Sequence, residues 1–180
     1  LATFDALKET GRLAQKADAR KRALAARAEH KAHPDQPLLT ENPITAKLLD
    51  VQKTIDAKNF VKANTDLKQL LAENPDDVRI YYNLGRVASL SAESISDADA
   101  QSARLLEAQT YYGNALRKAT AKTDPALLSL TYVAVARLYE FFNQNGMAMQ
   151  AYDRAIQFGD IKDGAYREAL AGKQRLVKNQ

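Results

Sequence analysis

The chain predicts an all-α fold, an array of paired amphipathic helices. Three observations carry that expectation. Ala, Leu, Lys, Gln, Glu and Arg, all good helix formers, dominate a 180-residue chain with only 7 glycines. Apolar residues recur at spacings of three and four: Tyr132, Val135, Ala136 and Tyr139 share one face, and Ala148, Tyr152, Ala155 and Ile156 share another. Asn42-Pro43 and Asp124-Pro125 supply a cap followed by a proline, the pattern that starts a helix.

Composition bounds the function as well. Hydrophobic content of 46% and charged content of 27% describe a globular chain. The absence of Cys excludes a disulfide framework, a thiolate metal site and a Cys nucleophile, and leaves the compartment open between cytoplasm and an exported or periplasmic location. No apolar run approaches the roughly 18 residues of a membrane span, so a soluble chain is expected. Beginning at Leu1 without a visible signal peptide, the chain is expected to be a processed or excised piece of something larger.

Residues 1–33 read as a basic N-terminal helix. Eight cations (Lys8, Arg12, Lys16, Arg20, Lys21, Arg22, Arg27 and Lys31) face four acids, which accounts for the whole net charge of +4. Lys8, Arg12, Lys16 and Arg20 step by four along one face, and Arg27 continues it, making a cationic arm or a solvated connecting helix. Its apolar stripe is too thin for a membrane anchor. Residues 34–43 form a Pro-rich linker, since Pro34, Pro37 and Pro43 cannot sit inside a helix. His30 and His33 lack a partner set for a metal.

Residues 44–180 form the main domain. Ile44 to Ala57 is helical with Leu48, Val51 and Ile55 on one face; Lys58-Asn59 turns the chain; Phe60 to Glu73 returns with Ala63, Leu67 and Leu70 inward. Asp76-Asp77 caps a helix carrying Ile80, Tyr81, Leu84, Val87 and Ala88, where Gly85 predicts close approach by a neighbour. The polar stretch near 91–100 is expected outside the core, as an extension or ordered loop. A helix resumes near Asp99 and runs to about Ala121. Asp124-Pro125 opens the next, Asn145-Gly146 turns the chain, and a closing helix spans Asp163 to Val177.

The spacing Ala63, Leu67, Leu70 recurs as Ala108, Tyr112, Ala115 and as Ala148, Tyr152, Ala155. Tyr81-x-x-Leu84-Gly85 answers to Tyr132-x-x-Val135-Ala136. In these positions the chain resembles the tetratricopeptide repeat (TPR), a helix–turn–helix unit of 34 residues, over 44–160 as about three units plus a capping helix. The resemblance implies a right-handed α–α superhelix with Tyr81, Tyr112, Tyr132 and Tyr152 filling gaps between small residues. Unit one departs from it, with Lys47, Asp50 and Val51 at signature places. Unit two departs by spanning 23 residues from Gly85 to Ala108, against about 12 in a regular unit.

In TPR proteins the first helix of each unit lines a groove that takes an extended or helical peptide. By position the resemblance implies a groove of Gln52, Arg79, Tyr82, Asn83, Arg86, Leu130, Val133, Arg137 and Phe141. Arg79, Asn83 and Arg86 share a helical face, and with Arg137 they suit a carboxylate. The clamp by which some TPR proteins hold a chaperone tail is not implied, because Leu48, Leu130 and Ala134 stand where its other residues belong. No phosphate loop, nucleophile elbow or zinc motif occurs, so neither catalysis nor a cofactor nor a small-molecule substrate is expected. The expectation is a protein-binding scaffold for a partner of acidic character. Nucleic-acid or anionic-surface binding through the basic arm, and self-association as a homo-oligomer, remain as alternatives.

Overall fold

In the computed structural model the described residues are 43–178, and all their regular structure is helical. The basic arm with Arg12, Lys16, Arg20 and Arg27, and the linker histidines, lie outside the described residues. The chain divides into two compact units, 1–50 and 51–180, with the boundary inside the first described helix. Among the described residues, the second unit holds the remaining helices and every buried apolar side chain.

Side-chain caps set most of the helix starts. Helix α1 spans Pro43–Asp56, with Pro43 at its head. Asn59 caps α2 (Phe60–Glu73) by accepting from the Lys62 amide, and Asp77 caps α3 (Val78–Ala92) by accepting from the Arg79 amide. Asp97 and Asp124 do the same for α4 (Ala98–Lys118) and α5 (Pro125–Phe141). Such a cap contributes about 1 kcal/mol. Helix α6 (Asn145–Ile156) begins without one, and α7 (Tyr166–Lys178) follows. Lys58, Asn143 and Asp163 hold left-handed backbone in the turns, with φ of 58°, 57° and 62°. No described helix is long and apolar enough to cross a membrane.

From α2 onward successive helices pack on one another, as the apolar spacing predicts. The closest pairs are α3 with α4 and α5 with α6; α2 leans on α3, α4 on α5, and α7 on α6. Ala63, Leu67, Ile80, Leu84, Val87, Ala108, Ala115, Ala136, Ala148 and Ala155 are fully or almost fully buried. Ser129 is the pin between α5 and the last hairpin. Buried, it accepts from the Ala165 amide at 3.1 Å and donates to the Ala155 carbonyl at 3.5 Å.

Two tyrosines bring helices together over glycines. A Cβ built on Gly85 would stand 2.6 Å from the Tyr112 ring, which is the close approach that the mid-helix glycine predicts. Gly172 faces Tyr152 in the same way, and more closely still. The Tyr152 hydroxyl donates to Glu140, and Arg175 donates to both oxygens of that carboxylate at 2.7 and 2.9 Å. Burial, reinforced by Glu140, pushes the Tyr152 hydroxyl up to about 12.

Four expectations change. Asn145-Gly146 is the first turn of α6 and not the bend; the bend falls one residue pair earlier, where Asn143 takes positive φ. The closing helix starts at Tyr166 because Asp163 is left-handed and the Ala165 amide is committed to Ser129. The stretch near 91–100 is not outside the core throughout. Helix α3 continues to a buried Ala92, whose carbonyl accepts from Gln101 Nε2, and only the turn and first residues of α4 are exposed. Tyr81 and Tyr132 are half-buried rather than core: Tyr81 donates to the Pro75 carbonyl, and Tyr132 lies beside Phe158 with ring centroids 6.2 Å apart.

Candidate functional site

Helices α3 and α5 do not pack closely on each other, and a cleft of about 440 Å³ opens between them. Helix α3 turns Tyr82, Arg86 and Leu90 toward it, and α5 turns Leu130, Val133, Ala134, Arg137 and Phe141. Leu105 and Tyr112 of α4 form its base, and Glu168 of α7 reaches its edge. The size falls in the range of pockets that hold ligands.

The lining is apolar at depth and charged at the rim. Tyr112 and Val133 are nearly inaccessible, while Phe141 is 48% exposed, a large apolar side chain facing solvent at the mouth. Tyr82 and Tyr112 meet at 5.8 Å between ring centroids, and the Arg86 guanidinium lies 6.0 Å from the Tyr82 ring. Burial raises the pKa of both tyrosines, so they are neutral hydroxyls at ordinary pH.

The arginines differ sharply in what they already hold. Arg79 donates through Nε and Nη2 to Asp77, the cap of its own helix, at 3.0 and 2.6 Å. Burial works against the Asp77 charge, but the bonds from Arg79 outweigh it and lower the pKa. Arg137 pairs with Glu168 at 2.9 Å, an exposed and weak contact. Arg86 donates Nη1 to Gln52 Oε1 at 2.5 Å and to Asn83 Oδ1 at 3.1 Å, both neutral amides. It forms no ion pair among the described residues.

Of the residues expected in a groove, Tyr82, Arg86, Leu130, Val133, Arg137 and Phe141 therefore line one cleft. Gln52 and Asn83 stand behind Arg86 and steady its guanidinium. Arg79 does not line the cleft; the cap carboxylate two residues earlier claims it. Leu105, Tyr112 and Glu168 join the lining from outside the expected set, because a groove taken from first helices alone leaves out α4 and α7. The apolar period that continues through Leu105 is a usable signal for α4. Glu168 carries none, since only folding brings α7 to Arg137.

No protein-family model matches the chain, and no curated protein does so.

Proposed function

We propose that this chain is a non-enzymatic protein–protein interaction module, a TPR-like scaffold or adaptor that holds a segment of a partner protein in the cleft between α3 and α5. The observation that carries it is an open, apolar cleft beside Arg86, a cation with no ionic partner among the described residues. Apolar depth favours buried anchors on the partner, and a guanidinium held by neutral amides favours a carboxylate. Arg137 contributes less charge than its position suggests, because Glu168 offsets it.

Fluorescence anisotropy on the full chain, against pooled labelled peptides with acidic side chains or free C-terminal carboxylates, tests this. Saturable binding that falls at least about tenfold in Arg86→Glu and in Phe141→Ser is expected. Binding untouched by both, steeply salt-dependent, and abolished by replacing Arg12, Lys16, Arg20 and Arg27 with Gln would overturn the cleft in favour of the basic arm.

A further inference from the structure

Arg86 borders two cavities. A second one, of about 330 Å³, lies on the far side of α3, bounded by Ile55, Asp56 and Lys58 and by Phe60. Both cavities share Arg86, Leu90 and Glu93. At spacings of four and three, Arg86 and Leu90 of α3 and its C-cap residue Glu93 form one ridge with a hollow on each side.

We propose, on the footing of the function above, that the two cavities are halves of one groove. Its occupant is an amphipathic helix of a partner protein laid across α3, with an apolar side chain in each cavity and a single carboxylate on Arg86 between them.

Spacing selects a helix. The dividing helix is about 10–12 Å across, so anchors on its two sides stand about that far apart. Positions i and i+7 of an α-helix lie on one face and about 10.5 Å apart, with i+3 or i+4 between them on the same face. An extended segment reaches that separation near i+3, where the side chain points to the opposite face.

Charge selects one carboxylate. Both amide bonds of Arg86 use Nη1, which leaves the Nε–Nη2 edge without a bond among the described residues. That edge accepts a carboxylate bidentately. Glu93 sits on the same ridge without an ion pair among the described residues, and it repels a second acid. A helix with one acid between two apolar anchors fits this ridge; a run of acids does not.

The test uses the full chain and a stapled helical peptide with Leu at i and i+7, a single Glu at i+3, and Ala and Gln elsewhere. Ser94→Trp fills the smaller cavity from an exposed position, and Ala134→Trp fills the larger, with Phe141→Ser as a second variant there. Circular dichroism confirms that each is folded. Saturable binding is expected, weakened at least about tenfold by filling either cavity. Changing the peptide Glu to Gln, or Arg86→Gln, costs about tenfold each, and both together cost little more than either alone. Loss on altering the larger cavity with Ser94→Trp unaffected would overturn the two-cavity groove and leave the single cleft standing. No binding of the stapled peptide, with the peptide pool bound, would overturn the helical occupant alone; no binding of either would remove both.

Discussion

Tyr112 over Gly85 and Tyr152 over Gly172 are the same packing device in two settings. In each, a ring fills the space a Cβ would occupy, so two helices approach closely. The settings differ in what the hydroxyl meets. Tyr112 has Ser89 beside its hydroxyl and borders the open cleft. Tyr152 donates to Glu140, which Arg175 clasps from α7. One contact shapes a cavity wall; the other fastens the closing helix. A repeated local packing rule thus serves two purposes, and the polar groups around the ring decide which.

The largest expected effect is at the clasp. Gly172→Ala drives a methyl into a ring that Glu140 and Arg175 hold in place. Overpacking of about 1–3 kcal/mol should exceed the roughly 1 kcal/mol helix-propensity gain of alanine. Urea unfolding should show a lower midpoint, and a higher one would mean that the ring is not pinned.

Gly85→Ala meets Tyr112 at 2.6 Å, but that ring borders empty space into which it can shift. A smaller loss is expected, under about 1 kcal/mol net. A loss equal to that of Gly172→Ala would erase the distinction between the two sites.

Removing the hydroxyls sharpens it further. Tyr152→Phe should cost about 1–2 kcal/mol because Glu140 loses a donor in a half-buried place. Tyr112→Phe should cost markedly less. Alkaline titration reads the Tyr152 hydroxyl by another route. With the Tyr152 hydroxyl raised to about 12 in the folded chain and near 10 when unfolded, the unfolded state releases its proton first. The stability from this group is complete below about pH 10 and fades as pH rises toward 12. Tyr152→Phe should flatten that fall, as followed by circular dichroism across pH 9–12 (about three units).

The smallest expected effect on stability is at Arg137 and Glu168. Both side chains are more than half exposed, so Glu168→Gln should change the unfolding midpoint by less than about 0.5 kcal/mol equivalent. It should nevertheless tighten acidic-peptide binding, because Arg137 is then unopposed at the rim. No change in affinity would place the carboxylate of the partner at Arg86 alone.

Much of the fold is legible in the sequence because local rules and packing agree. Asp77 and Asp124 cap where the residue pattern predicts, the Ala63–Leu67–Leu70 face is buried, and Gly85 marks a close approach. Boundaries slip where tertiary contacts intervene. Ser129 captures the Ala165 amide 36 residues away, which sequence spacing cannot register, and α7 starts late. The site is half legible for the same reason. Tyr82, Arg86 and Phe141, which the resemblance puts in a groove by position, line one cleft. Arg79 does not follow, because the carboxylate two residues away is both the helix cap and its ion partner. Glu168 reaches the cleft only through the folding of α7.

Lys58, Asn143 and Asp163, in the turns, occupy backbone that glycine adopts freely and other residues adopt at a cost. Lys58 borders the smaller cavity, but Asn143 and Asp163 line neither. Asn and Asp bear that backbone more readily than other non-glycine residues, so these two bends can exchange among Asn, Asp and Gly with little change in stability and without touching either cavity.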